Sequence, residues 1–352
     1  MLLAVTPEHP QDRSIVGWSG KFFSSAATVI IVGVLVAYAW QRREELSLVL
    51  SVRWPLLVYI AGLRTVLFVI LGLQRKLFYS HFGVKLDFRE WLGLTVINNM
   101  ASYFVPMHGG VALSAVYLKK VHGFPFSLFT SVLFAARLWG LLVAGSIGAC
   151  VCVALYFGYG ALDWRILAFF CAMVIATSAI LLIPFPLPRG ENRYVRVLRS
   201  GIEGWGRLRA SRPLFLKVTL LSLAGVATRA SMMLVGYAAL SVSVDILPVL
   251  LVTIFAQCAL VVSITPGNLG VGEVAIAVGS QLAGIGFDPG LAVAAVIRAI
   301  LLVMTFGLGA IFTHVLSMNL AGNGRSSDRS ELSVREEPDL VGKHVDERKP
   351  TT

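Results

Sequence analysis

Long apolar runs are the feature that most constrains how this 352-residue chain can fold. A helix that crosses a bilayer needs about 20 consecutive, mostly apolar residues. Hydrophobic residues make up 57% of the chain and charged residues 14%, against roughly 45–50% and 25% in soluble domains. The apolar runs of near-spanning length or longer are 22–40, 55–73, 126–157, 166–185, 214–240, 247–264 and 290–318. We therefore predict an all-α, polytopic membrane bundle of about 7–8 spans.

The distribution of basic residues predicts which loops are cytoplasmic. The net charge is +11, which in a soluble protein would suggest nucleic-acid binding. In membrane proteins, however, Lys and Arg collect in short cytoplasmic loops, so we expect no nucleic-acid partner. The segment 186–213 holds seven arginines, whereas 241–246 and 286–289 hold no Lys or Arg. This pattern places 186–213 in the cytoplasm and both termini on that same side.

Composition divides the chain into three parts. Residues 1–21 are polar and mixed, and we interpret them as a cytoplasmic N-terminal segment. Residues 22–318 carry the apolar runs and form the predicted transmembrane domain. Residues 319–352 are charged and contain no aromatic residue, a composition typical of disorder, so we expect a disordered cytoplasmic tail. The expected location is the cell (cytoplasmic or inner) membrane.

Two parts of the chain share one pattern at nearly equal spacing. P-x-x-x-G-V begins at Pro106 and again at Pro266, and in each copy a G-F pair and one arginine follow. The arginines, Arg137 and Arg298, lie 31 and 32 positions after the prolines. Proline removes a backbone donor and glycine permits unusual dihedrals, so together they interrupt helices. The pattern predicts two broken or re-entrant segments related by an internal repeat, although Gly and Pro are also common in ordinary membrane helices. The residues assigned to the helix breaks are Pro106, Gly110, Pro266, Gly267 and Gly270.

Four arginines fall inside apolar runs and are the main candidates for a binding site. A lone arginine at a helix centre raises the free energy of insertion by about 2.5–3.5 kcal/mol or more, so we expect all four to face the bundle interior or a wet cavity. They are Arg64, Arg137, Arg229 and Arg298. A guanidinium fork matches phosphate oxygens, which predicts a cationic cavity for a lipid phosphate. Glu273 is the counter-charge of this site, a contact for a lipid amine, or half of a purely structural ion pair with Arg298 or Arg229.

Three asparagines lie at or near the breaks: Asn98, Asn99 and Asn268. They either cap the broken helices or donate hydrogen bonds to a lipid headgroup, and capping is the interpretation that we favour. The chain contains no G-x-x-x-x-G-K-[ST], G-x-S-x-G or H-E-x-x-H motif, the signatures of phosphate loops, serine hydrolases and zinc proteases. We therefore expect neither a cofactor nor a metal, and we lean against an enzyme.

These motifs resemble a known family. The stretch 264–273, followed by an Ala-rich helix with Arg298, is similar to the second signature of the lysylphosphatidylglycerol synthase transmembrane, or flippase-like, family, which runs P-G-G-x-G-v-x-E with a downstream arginine. The resemblance covers about residues 22–318. The residues that resemble the first signature are Asn98, Asn99, Pro106, Gly110 and Arg137.

The chain departs from the family pattern at both signatures. The family usually has an acid directly after the first glycine and a basic residue soon after, where this chain has Val111, Ala112 and Ser114. Asn268 replaces the second glycine of P-G-G. The first half-site is therefore expected to be altered or to bind a different headgroup.

The resemblance implies a function in moving a lipid across the membrane. We expect a flippase-like translocator for an anionic, aminoacylated or polyprenyl-linked lipid, without the soluble aminoacyl-transfer domain of bifunctional members. The alternatives are a membrane-embedded transferase, with Glu273 near arginines as its base, and an accessory subunit in lipid-linked glycan assembly. The expected partners are a membrane lipid and, in the accessory case, a lipid-modifying or glycan-assembly enzyme.

Overall fold

The computed structural model describes residues 54–104, 109–160, 163–183, 193–259 and 266–336. The predicted N-terminal segment 1–21, the apolar run 22–40 and the break residue Pro106 lie outside the described residues. Within them the chain forms ten α-helices and no strand, which confirms the all-α class. The helices are α1 Trp54–His81, α2 Phe88–Ala101, α3 Gly109–His122, α4 Phe126–Tyr159, α5 Trp164–Leu182, α6 Arg193–Ala210, α7 Arg212–Ala239, α8 Ile246–Ala259, α9 Val271–Leu282 and α10 Phe287–Glu336.

Five of these helices, α1, α4, α5, α7 and α10, are long and apolar enough to cross a bilayer. The 7–8 predicted spans are therefore not reached in the described part of the chain. One reason is that the apolar run 247–264 yields only the 14-residue α8, which stops at Ala259. The helix α10 continues through 319–336, part of the segment for which we expected disorder.

The remaining apolar helices are short and come in two pairs, α2 with α3 and α8 with α9. They have 14, 14, 14 and 12 residues, or about 18–21 Å at 1.5 Å per residue. The hydrocarbon core is about 30 Å thick, so none of the four can cross it alone. Pro266 and Gly270 thus lie between the end of α8 and the start of α9, and Gly110 lies in the first turn of α3.

Each short pair folds back on itself as a hairpin. At the start of α2, the Glu90 carboxylate accepts a hydrogen bond from Tyr117 Oη (2.9 Å) and lies 3.1 Å from His122 Nε2, both near the end of α3. In the second pair, Gly279 of α9 packs against Val252 and Phe255 of α8. In each pair, the start of the first helix therefore lies close to the end of the second helix.

The long helices enclose these hairpins. The first helix, α1, packs along α7, and α10 lies against α1, α2, α7 and α9. The arginine-rich α6 packs on α4, because Trp205 and Leu208 are buried there and Ser131 Oγ of α4 donates to the Gly201 carbonyl at 2.6 Å. Arg207 and Arg209 on the same helix are exposed.

Candidate functional site

The turn before α9 has a left-handed backbone at three positions. Gly267 has φ 59°, Asn268 has φ 58° and Gly270 has φ 81°. Glycine adopts this region without the Cβ penalty that other residues meet, so two of the three are favourable and Asn268 is among the better tolerated exceptions. Glu273, in the first turn of α9, accepts a hydrogen bond from the Gly270 amide at 2.9 Å. The turn is therefore capped by Glu273.

Arg298 on α10 holds this turn in place. Its Nε donates to Glu273 Oε1 at 2.5 Å, and its Nη1 and Nη2 donate to the carbonyls of Gly267 (2.9 Å) and Asn268 (3.0 Å). Nη1 also donates to Tyr103 Oη at 3.0 Å. Of the two arginines predicted as partners of Glu273, the structure shows the ion pair with Arg298. Both carboxylate oxygens are then engaged.

The two breaks meet inside the bundle. The Gly267 amide donates to the Ser102 carbonyl at 2.7 Å, so the end of the first hairpin's α2 touches the turn of the second hairpin. A side chain at position 267 would overlap the ring of Tyr103. Tyr103 in turn packs against Phe306 of α10. In the described residues this backbone hydrogen bond and the Tyr103 side chain thus connect the two breaks, in addition to the packing of α10 against α2.

The first break is shaped by close packing between α2 and α3. A Cβ at position 110 would overlap the Asn98 carbonyl. Because Gly110 has no Cβ, the start of α3 can approach the end of α2. Asn99 Nδ2 donates to the Thr95 carbonyl at 2.8 Å, a bond inside α2. The capping residue after α2 is Ser102, and Gly270 precedes α9. The Asn99 side chain therefore bonds within α2 and not at a helix end.

A cavity of about 500 Å³ opens between the two breaks. Ten of the residues singled out from the sequence line it: Arg64, Arg137, Arg229, Arg298, Asn98, Asn99, Asn268, Glu273, Gly110 and Gly267. Most of the remaining lining is apolar, from α1, α2, α4, α7 and α10. Pro266 and Gly270 belong to the same turn without lining the cavity. The sequence pattern therefore located residues that lie together, although their role in binding stays a prediction.

Arg64 and Arg229 form one cationic pair in this cavity. They occupy the two helices that pack along each other, α1 and α7, and they repel each other electrostatically. The Arg64 guanidinium lies over the Phe68 ring at 4.7 Å, and its buried Nε has no hydrogen-bond partner among the described residues. Arg229 Nη1 donates to Gln257 Oε1 at a long 3.4 Å. Neither arginine meets a carboxylate in the described part of the chain.

Arg75 also lines the cavity and is not among the residues predicted from the sequence. It lies within α1, because this helix runs on to His81. Arg75 is within electrostatic range of Arg137 on α4, so a second cationic pair faces the same cavity. The sequence does contain a signal that the helix continues, since apolar residues follow Arg75 at Leu77 and Phe78.

Asn268 presents polar atoms that the fold leaves without partners. Its side chain is 7% exposed, it lines the cavity, and neither Nδ2 nor Oδ1 is hydrogen-bonded to any described residue. Buried polar atoms are nearly always satisfied, so each exception calls for an explanation. A ligand in the cavity would supply the missing partner.

These features define a multi-pass helical membrane protein with an arginine-lined internal cavity. The family model described as lysylphosphatidylglycerol synthase TM region matches residues 23–309. The chain belongs to this family, which confirms the resemblance seen in its motifs. A comparison with curated proteins finds no match. A comparison with solved structures finds none either.

Proposed function

We propose that this protein is a lipid translocator that needs no nucleotide of its own and holds the lipid headgroup in the arginine-lined cavity. The observation that carries the proposal is the charge balance of this cavity, which five arginines line with one glutamate among the described residues. Charged groups inside membrane proteins are rare and mark substrate pathways. Family membership supports a function in lipid handling.

The hairpins support this proposal because they suggest how the cavity reaches both leaflets. Lys85 precedes α2, Arg89 lies at the start of α2, and Lys119 and Lys120 lie near the end of α3, whereas 241–246 and 286–289 carry no basic residue. By the positive-inside rule, the first hairpin would enter from the cytoplasm and the second from outside. The helix order long, short, short, long occurs twice, as α1–α4 and α7–α10. Inverted repeats with interrupted helices at a midplane site are typical of transporters.

In this arrangement both termini are cytoplasmic and α6 lies on the cytoplasmic surface. Its arginines would face anionic headgroups, which attract basic segments. We place the protein in the cell membrane on the same grounds. A lipid-modifying or glycan-assembly enzyme is the partner that such a translocator would serve.

The transferase alternative rested on Glu273 as a general base. The two carboxylate oxygens of Glu273 accept hydrogen bonds from Arg298 Nε and the Gly270 amide, so this carboxylate holds the turn before α9 while it lines the cavity. The engagement of both oxygens supports translocation over the transferase. Product formation from a polyprenyl-phosphate sugar that is lost in Glu273→Gln, while stability is retained, would support the transferase alternative instead.

Lipid exchange in reconstituted vesicles tests the proposal. We expect headgroup-labelled anionic lipid to change leaflet faster with protein than without it, and Arg229→Gln to slow this exchange about tenfold, the effect of roughly 1.4 kcal/mol. The matched control is Arg165→Gln, an exposed arginine at the start of α5 that does not line the cavity. Equal exchange with and without protein, for anionic and isoprenoid lipids alike, would rule the proposal out.

A further inference from the structure

The base of the first hairpin holds a buried carboxylate that does not belong to the cavity. Glu90, in the first turn of α2, is 7% exposed, and its Oε2 accepts a hydrogen bond from the Asp87 amide at 3.0 Å. Its Oε1 accepts from Tyr117 Oη at 2.9 Å and lies 3.1 Å from His122 Nε2. Because an ionised carboxylate only accepts hydrogen bonds, His122 donates from Nε2. A buried acid is thus surrounded by three donors, two of which come from α3.

This pair joins the two ends of the hairpin. Glu90 lies at the N-terminus of α2 and His122 is the last residue of α3. A helix carries partial positive charge at its N-terminus and partial negative charge at its C-terminus, so an acid at the first position and a cation at the second are both favourable. At the other end of α3, Gly110 lies against the Asn98 carbonyl of α2. The helix α3 is therefore attached to α2 near both of its ends.

The same helix forms part of the cavity wall. Val111 and Ser114 of α3 line the cavity, as does Trp91, the neighbour of Glu90 in α2. Other side chains of α3 point away from the protein, since Leu113 is 50% and Val116 is 44% exposed. Segments with few buried contacts open at low cost in free energy. The attachment at the end of α3 therefore bears on how far this wall of the cavity can move.

His122 makes the strength of this attachment depend on pH. Histidine is the side chain that changes its charge between pH 5 and 8. The side chains of His122 and Glu90 are 20% and 10% exposed, so salt and water screen their attraction less than that of a surface pair. A protonated His122 adds this attraction to the hydrogen bond, whereas a neutral His122 keeps the hydrogen bond alone. The attachment is therefore stronger at acidic pH and weaker at basic pH.

The other titratable groups on the elements around this pair differ from it in exposure or in the pH at which they titrate. Tyrosine hydroxyls keep their protons from pH 5 to 8, which covers Tyr117 and the buried Tyr79 of α1. Charges that are exposed act through water and are strongly screened. In the described part of the chain the exposed groups on these elements are Lys76 and His81 of α1, Lys85, Asp87 and Arg89 around the start of α2, Lys119 and Lys120 of α3, and His314 of α10.

We propose that Glu90 and His122 form a proton-controlled clasp, which fastens α3 to α2 when His122 is protonated and loosens this wall of the cavity when it is neutral. The clasp itself stands on the geometry of the hairpin. Its effect on lipid movement rests on the proposed function, which places this end of the hairpin in the cytoplasm. A more acidic cytoplasm then slows lipid exchange.

Thermal unfolding of the detergent-purified protein at pH 5.5 and pH 8 tests the clasp without a transport assay. We expect His122→Gln to lower the melting temperature by about 1–3 °C at pH 5.5 and by less at pH 8, because glutamine keeps a donor but never gains the charge. His81→Gln is the matched control, since His81 is an exposed histidine at the end of α1, and its effect should be the same at both pH values. Equal losses at both pH values in His122→Gln overturn the clasp. Should His122→Gln not fold, Glu90→Gln removes the other charge and gives the same comparison.

Lipid exchange in reconstituted vesicles tests what the clasp controls. The probe is headgroup-labelled phosphatidylglycerol, a phosphodiester whose phosphate does not titrate between pH 5.5 and pH 8. We expect the wild-type protein to exchange it about two- to fivefold faster at pH 8 than at pH 5.5. His122→Gln should be fast at both pH values, and His81→Gln should follow the wild type. A wild-type rate that is constant, or highest at pH 5.5, overturns the control of exchange by the clasp.

The two assays separate this inference from the proposed function. Absence of exchange at every pH removes the translocator and leaves the clasp to be decided by the melting temperatures. Exchange with the same pH profile in the wild type and in His122→Gln keeps the translocator and removes the clasp as its control.

Discussion

The two breaks share a sequence pattern, yet they differ in how their arginines are held. Arg298, after the second break, binds Glu273, Tyr103 and two backbone carbonyls. Arg137, after the first, is exposed towards the cavity. The position seven residues after the proline is Glu273 in one copy and Leu113 in the other. Leu113 is 50% exposed and does not line the cavity.

This difference teaches that one motif can serve two purposes. In the second break the arginine closes a left-handed turn and its charge is neutralised by a carboxylate. In the first break close packing at Gly110 shapes the approach of α2 and α3.

The largest effect is expected from removing Arg298, the arginine that binds the turn at the second break. Arg298→Gln leaves Glu273 as a buried carboxylate without its cation, and breaking a buried ion pair in this way lowers stability by about 3–5 kcal/mol. Thermal unfolding of the detergent-purified protein measures the effect. Arg229→Gln is the control, because this arginine makes one long hydrogen bond and its loss should change stability little. Adding Glu273→Gln to Arg298→Gln should recover part of the loss, and no recovery would contradict the ion-pair account.

The next effect concerns the contact between the breaks. Gly267→Ala combines a left-handed φ of 59° with overlap on the Tyr103 ring, so we expect a loss of about 2–4 kcal/mol. Gly123→Ala is matched, because Gly123 has φ 65° and nothing near its missing Cβ. It should show only the backbone strain, about 1–2 kcal/mol. Equal melting temperatures for the two variants would argue against the Tyr103 contact.

A smaller effect tests the first break. Gly110→Ala forces a methyl group against the Asn98 carbonyl, and overpacking of this kind lowers stability by about 1–3 kcal/mol. Gly62→Ala on α1 has open space at the same point and should be neutral or stabilising, since alanine is the better helix former. Urea or thermal unfolding of both variants would show whether α2 and α3 approach as closely as described.

The smallest effect isolates one bond between the halves. Tyr103→Phe removes the hydroxyl that accepts from Arg298 Nη1 and keeps the ring that packs on Phe306. A single hydrogen bond contributes about 0.5–1.5 kcal/mol, and more with a charged donor. We expect a small fall in melting temperature and no change in the rate of lipid exchange. A changed exchange rate would mean that Tyr103 contacts the ligand.

Several residues of the site could be found from the sequence because charge and breaks inside apolar runs are visible there. Arg64, Arg229 and Asn268 were predicted in this way and line the cavity. Others could not, since their position depends on helix length and packing. Arg75 lies in the cavity because α1 continues past the apolar run, and Tyr103 reaches Arg298 across 195 residues of sequence.

The sequence by itself determined that this chain is a multi-pass helical membrane protein of a lipid-handling family. Runs of about 20 apolar residues have few other places to be buried, and a Pro–Gly pattern repeated at nearly equal spacing predicts interrupted helices. Only the tertiary structure decided that Arg298 is the arginine that pairs with Glu273. An ion pair forms when two side chains from separate helices, here α9 and α10, come within hydrogen-bonding distance. Spacing along the chain places residues on neighbouring helices, but only the packing of those helices decides which side chains come into contact.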